Sequence, residues 1–374
     1  MLAYLTFEPN RHPEAARWDR PELTRDSGFL ADVWARWDSV WFLRIAHDGY
    51  GATEQAAAAF YPLYPLLLGV LGRVLFGHYV LAGVLISLAA ALGAFALLGR
   101  LAADRFGEEL ARRAVLYLAI FPFSVFLGAV YSESLFLLSA VASFALAERG
   151  RFLGAGVVAG LAWLTRPLGI ALLPALALMA WRSPRPVNGL TRLAAAPAVF
   201  AAYPLYLWWK LDDPLAFVRA EGTWSRHVSP FGPLGGIWDG LRAGWAGVRQ
   251  LASASDATRY WSAVQDTDPD RVAAVNLAQL AFLVLFALLT VVAWRELGAP
   301  YGIFAALSLA IPLSVPSERW PLLSIQRFGL VVFPFFLALA VLGSRPRVHI
   351  GVVVVSATLL GVVSAQWALW QWVA

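Results

Sequence analysis

The chain has no cysteine, a single lysine (Lys210) and two methionines in 374 residues. Without cysteine there is no disulfide and no thiolate metal site, and the redox compartment leaves no mark on the sequence. Charge is scarce too: 14% of residues are Asp, Glu, Lys or Arg, against roughly 25% in a soluble domain. So few charges cannot cover the surface of a soluble protein of this length. The net charge of +5 comes from arginines scattered between apolar runs rather than gathered in one patch, which speaks against nucleic acid as a partner. There is no P-loop and no dinucleotide glycine pattern, so a nucleotide-driven enzyme or pump fits poorly. His47, His78, His227 and His349 lack metal-ligand spacing, and neither a metal site nor a cofactor is expected.

What fills the sequence instead is apolar: 60% of residues are hydrophobic, with 17 Trp and 23 Phe, against roughly 45–50% apolar in soluble domains. Ten apolar stretches recur, near the ~20 residues a helix needs to cross a bilayer. They are Tyr79–Gly99, Ala114–Tyr131, Ser134–Ala147, Phe152–Thr165, Leu168–Trp181, Leu193–Trp209, Val272–Trp294, Tyr301–Pro316, Phe328–Gly343 and His349–Trp367. In lipid the backbone must satisfy its own hydrogen bonds, so these runs predict helices. The expected fold is therefore all-α, one polytopic integral membrane domain of about ten transmembrane helices over residues 1–374. Two polar excursions interrupt it, Glu8–Ala59 and Lys210–Arg271.

Arginine placement gives an orientation. Arg100, Arg105, Arg112 and Arg113, then Arg149 and Arg151, then Arg182, Arg185 and Arg192, then Arg295, then Arg345 and Arg347 fall at alternate connections. Excess arginine marks the cytoplasmic side, so both long excursions (8–78 with its interfacial helices, and 210–271) are expected outside. Phe60–Phe76 breaks the alternation if it crosses, and is read as a helix in or dipping into the outer interface, anchored by Phe60, Tyr61 and Tyr64. The apolar Met1–Phe7 segment reads as the tail of a first membrane helix whose beginning is missing. The near-absence of lysine suggests a GC-rich genome and hence a bacterial plasma membrane.

Candidate chemistry gathers at the outer ends. Trp34, Trp37, Trp41 and Ile45 share one helical face with Asp38 among them. A carboxylate against indoles must be paired or lie in a solvated cavity, where it can act as a base; the alternative is a cap on a helix starting at Ser39. Glu133, in Tyr131-Ser132-Glu133-Ser134, is a functional acid or part of a polar turn. Arg166, in Leu164-Thr165-Arg166-Pro167, stands against the charge rule and is shaped to clamp a phosphate, or else forms an ion pair with Glu133 or Asp38. Arg327, in Ser324-Ile325-Gln326-Arg327-Phe328, has the same two readings. Asp212 and Asp213 read as a turn before Pro214.

Four of these stretches resemble the PIG-V-like mannosyltransferases. They are Arg36-Trp37-Asp38 through Gly49-Tyr50 with Phe60-Tyr61-Pro62-Leu63-Tyr64-Pro65-Leu66, then Phe121-Pro122 through Tyr131-Ser132-Glu133-Ser134-Leu135-Phe136, then Leu164-Thr165-Arg166-Pro167-Leu168-Gly169, and Ser324-Ile325-Gln326-Arg327-Phe328 with Phe333-Pro334. They come in the family's order from residue 34 to about 340, departing at Pro167, where a small polar residue is more usual. The resemblance implies a GT-C fold and transfer of a sugar, mannose by family expectation, from a polyprenyl-phosphate-linked donor to a glycan or lipid acceptor on the outer face. It implies Asp38 as catalytic base, with Glu133 beside it. Arg166, Arg327, Gln326, Trp37, Trp41, His47, Tyr50 and Tyr131 are the substrate- and phosphate-binding candidates. Direct displacement would invert the anomeric centre. The competing reading is a transporter or flippase of a lipid-linked or anionic substrate, which would call for inverted repeats and charges near mid-membrane; neither is evident.

Overall fold

The computed structural model describes residues 22–52, 55–253, 268–318 and 320–373; the Met1–Phe7 segment lies outside these. The principal helices are α1 (Ser39–Asp48), α2 (Leu63–Val74), α3 (Tyr79–Phe106), α4 (Glu108–Ala119), α5 (Glu133–Glu148), α6 (Phe152–Trp163) and α7 (Leu172–Trp181). After them come α8 (Pro186–Leu211), α9 (Pro233–Leu251), α10 (Pro269–Val292), α11 (Ala299–Ser314), α12 (Ile325–Leu330), α13 (Phe333–Leu342) and α14 (Pro346–Ala368). Among the described residues no strand forms; one isolated bridge joins Arg226 to Ser317.

Among the described residues four helices are long and apolar enough to cross a membrane: α3 with 28 residues, α8 with 26, α10 extended by one π-turn to Leu297 with 29, and α14 with 23. α8 is interrupted by turns at Ala194 and Ala201. Each turn lies three residues before a proline (Pro197, Pro204), where the ring crowds the carbonyl four residues back and no N–H is offered to it. The other apolar helices have 10–16 residues and reach only ~15–24 Å of a ~30 Å core.

The shortness has a cause written in the sequence. The expected run Ala114–Tyr131 is helical only to Ala119, because Pro122 disfavours helix in the residues before it. α6 stops at Trp163 ahead of Pro167, and Arg166, the residue before that proline, is extended at φ −156°, ψ 149°. α11 stops at Ser314 ahead of Pro316. Three stretches outside the α-helices result: 120–132 and 164–171, each with a short 3-10 turn (Ser124–Leu127 and Pro167–Ala171), and 315–318 with 320–324. Such backbone is tolerated at membrane depth only where protein buries it or a cavity hydrates it. These segments converge on one place, described below.

The core is aromatic and alanine-rich: Phe144 and Tyr301 each meet Phe333 edge to face, and Phe144 packs tilted on Tyr301 and Phe304. α2 has 12 residues, too few to cross; it packs on α1 and α3 and leaves Leu66, Leu67, Val70 and Val74 exposed. The excursion 210–271 contains α9, a 19-residue helix that the hydropathy pattern does not reveal. Its small face (Gly236, Gly240, Gly244, Gly247) lies against α10, α11 and Leu322, while Leu234, Trp238, Leu241 and Trp245 point away. Asp213 behaves as a turn residue, accepting from the Leu215 N–H at 3.0 Å.

Close approach of α9 to α11 depends on Gly236, where a Cβ would fall 2.2 Å from the Leu313 carbonyl oxygen. Gly236→Val is therefore expected to force the helices apart. The cost should be about 1–3 kcal/mol, read as a lower thermal unfolding midpoint in detergent; an unchanged midpoint contradicts this packing.

Candidate active site

The three stretches outside the α-helices, the first turns of α5 and α12 that follow two of them, and the turn before α1 bring Asp38, Glu133, Arg166 and Arg327 together. Arg327 Nη1 lies 2.6 Å from Asp38 Oδ2, and its Nε 3.1 Å from Glu133 Oε1. The same Glu133 oxygen lies 2.5 Å from Arg166 Nη1. Two carboxylates and two guanidinium groups thus form one neutral chain. Neutrality matters because a lone charge at this depth costs several kcal/mol or more. The Glu133 side chain is wholly buried (0% exposed) and that of Asp38 is 23% exposed. One carboxylate is locked between cations, and the other fronts open space.

The two readings of each residue now separate. Asp38 sits at the start of α1, yet its side chain makes no capping bond and turns instead to Arg327. Arg166 and Arg327 make ion pairs and also line a cavity. Tyr131 is buried behind them; its hydroxyl accepts from the Asp38 backbone N–H (3.0 Å) and donates to the Arg36 carbonyl (3.1 Å). Arg327 stacks over the rings of Tyr131 and Phe126, 5.5 and 5.7 Å from their centroids.

The cavity holds about 500 Å³, within the roughly 300–1,000 Å³ of small-molecule sites. Asp38, Glu133, Arg166 and Arg327 form its charged side; Trp37, Phe42, Phe60, Tyr61, Phe126, Phe217, Trp224 and Phe328 line much of the rest. Of the sequence candidates, Trp37, Asp38, Tyr131, Glu133, Arg166 and Arg327 line it. Trp41, His47, Tyr50 and Gln326 do not. Trp41 stacks on Phe60 at 5.6 Å and 12°, supporting a wall residue from behind. His47 faces outward, 2.6 Å from Asp48. Tyr50 is buried against Tyr203 and donates to the Phe60 carbonyl at 2.5 Å. Gln326 is buried beside Arg327 on α12, its Oε1 without a hydrogen-bond partner.

A fourth ion pair carries no signal in the sequence. Arg226 lines the cavity with Glu221, its Nε 3.6 Å from Glu221 Oε2. Its Nη1 and Nη2 donate to the carbonyls of Val315 (3.0 Å) and Leu323 (3.2 Å). Backbone bonds from His227, Ser229 and Glu318 tie residues 225–229 to 314–318. Burial pushes the Glu221 carboxyl above the ordinary carboxylate range, and Arg226 offsets part of that. An arginine in a polar excursion looks like any solvated charge; only the tertiary fold places it.

Three non-glycine residues at the edge of the site hold left-handed backbone: Trp37 (φ 53°), Ser225 (φ 55°) and Ser324 (φ 64°). Each costs about 1–2 kcal/mol. They stand one residue before Asp38, one before Arg226 and three before Arg327. Backbone of this kind persists only where the surrounding contacts hold it in place.

Because Glu133 holds both arginines, Glu133→Ala is expected to leave two buried cations underpaired and to destabilise the protein by about 3–5 kcal/mol. Arg166→Gln removes one charge but leaves Glu133 paired to Arg327, and should cost less. Thermal unfolding in detergent checks the order; equal losses contradict a shared carboxylate.

Known proteins resemble this chain in sequence and in fold. The mannosyltransferase (PIG-V) family matches residues 24–180, a span that contains Asp38, Glu133 and Arg166. No curated protein matches the sequence. Two crystal structures of ArnT from Cupriavidus metallidurans, one bound to undecaprenyl phosphate and one apo, are similar in fold with a TM-score of 0.41 and 16% identity. The match covers 95% of this chain and 76% and 75% of theirs. Over residues 24–180 the chain is similar to the PIG-V mannosyltransferases.

Proposed function

We propose that the protein moves a sugar, mannose by family expectation, from a polyprenyl-phosphate donor to an acceptor hydroxyl with inversion. The observation that carries this is the unequal burial of two carboxylates that share Arg327. The Glu133 side chain is wholly buried between Arg166 and Arg327 at the cavity wall, so it positions the two cations. Asp38 borders the cavity and can take a proton.

The lipid phosphate is already a good leaving group, and the reaction needs a base for the acceptor and cations for the departing anion. A phosphate oxygen entering the cavity meets Arg327 and Arg166, and competes with Asp38 for the Arg327 guanidinium. Asp38, freed from that pair, accepts the hydroxyl proton. The acceptor oxygen bonds to the anomeric carbon from one face as the carbon–oxygen bond to phosphate breaks on the other. That electron pair leaves with the lipid phosphate, whose charge the two arginines balance. The products are an inverted glycoside and the free lipid phosphate, with the proton on Asp38.

The arginine distribution favours a site on the extracytoplasmic face, and the scarcity of lysine favours a bacterial plasma membrane. Leu63 at the head of α2 donates to the Leu164 carbonyl beside Arg166 (2.9 Å). The exposed leucines and valines of α2 therefore run up to the charged pocket, a path suited to a lipid tail entering sideways.

The test is sugar transfer by membranes that contain the protein, with radiolabelled polyprenyl-phosphate-mannose. Asp38→Asn should lower transfer by about 10²–10⁴-fold at unchanged expression. Transfer retained by Asp38→Asn removes Asp38 as the base. Absence of transfer by the wild type, with saturable binding of the donor, favours a transporter.

A further inference from the structure

Helix α14 ends at Ala368, and the residues after it fold back over the active-site cavity. Gln371 N–H donates to the Gln366 carbonyl at 2.9 Å and Trp370 N–H to that of Trp367 at 3.1 Å. Trp370 itself is left-handed, at φ 61°. Glycine usually takes that place after a helix, because a side chain there is strained. An indole is kept there by its neighbours: the Arg36 guanidinium lies 4.2 Å above the ring, and Trp37 meets it edge-on at 6.0 Å. The root of the turn is also fastened, since Trp367 Nε1 donates to the Val33 carbonyl at 2.9 Å. The turn is thus anchored to residues 33–37, the segment that presents Asp38.

The consequence lies two residues on. Trp372 and Val373 line the cavity that holds Asp38 and Arg327. The Trp372 indole lies 5.3 Å from that of Trp320, tilted by 36°. Within one cavity, charged groups suited to a phosphate and a hydroxyl therefore share space with a broad indole that the chemistry above leaves unused. A pyranose needs both environments, because its hydroxyls seek polar partners while its C–H face packs on an aromatic plane.

We propose that Trp372 and Val373 form the wall of a pyranose subsite, with Trp372 as the surface on which a sugar ring rests. The inference rests on the glycosyltransferase reading. The sugar is either the one being transferred or one on the acceptor.

Steady-state transfer by wild type, Trp372→Ala and Trp372→Phe, varying donor and acceptor separately, tests it. Trp372→Ala should raise KM for one sugar-bearing substrate about tenfold while kcat changes little, and Trp372→Phe should restore most of the affinity. A shift in donor KM identifies the transferred sugar, and a shift in acceptor KM the acceptor's. Inhibition by sugar-free polyprenyl phosphate should be the same in all three proteins. An active wild type whose KM values survive Trp372→Ala overturns the inference alone. So does an equal loss of inhibition by the sugar-free lipid, which would assign the indole to the isoprenoid chain, and so does a fall in kcat only, shared by both variants. A wild type that transfers no sugar overturns the proposed function, and this inference with it.

Discussion

The buried carboxylate of Glu133 is the point on which the site depends. It lies within 3.1 Å of Arg327 and 2.5 Å of Arg166, and these cations come from segments far apart in sequence. At a membrane depth where an isolated charge is expensive, each partner makes the others tolerable. The four charges cancel, and of the two carboxylates Asp38 is the one whose side chain is partly exposed. A resting ion pair between Asp38 and Arg327 also gives the empty site a stable state that an incoming anion can replace.

That network occupies the place where helices stop early. Pro122, Pro167 and Pro316 end or precede the ends of apolar runs that would otherwise continue as helix. Backbone outside the α-helices would be costly in lipid, but here it is enclosed. Tyr131 ties the Asp38 and Arg36 backbone together, Leu63 bonds to Leu164, and residues 225–229 bond along 314–318. Prolines create the gap, and the polar segments fill it with chemistry. The strained residues Trp37, Ser225, Ser324 and Trp370 border the same space, so backbone strain and function coincide there.

Several of these features are legible in the amino-acid sequence. Composition and run length mark a helical membrane protein, because a bilayer leaves so few options for backbone hydrogen bonds. Arginines standing against the charge rule single out Arg166 and Arg327, and a carboxylate among indoles singles out Asp38. Pro167 even fixes the extended backbone of Arg166, since the residue before proline avoids the helical region. Trp41, His47 and Tyr50 share motifs with the lining residues, but adjacency in a motif does not say which way a side chain points.

Sequence alone therefore determined the solvent this chain lives in, the places where its helices break, and the residue types gathered near those breaks. These are local consequences of hydropathy, proline stereochemistry and the cost of charge in lipid. Only the tertiary structure decided which carboxylate is wholly buried and which is partly exposed. It also brought in Arg226, Glu221 and Trp372 from segments with no distinguishing pattern, and packed α9 through a face of glycines. Those outcomes depend on contacts between residues far apart in the chain, and no local rule encodes them.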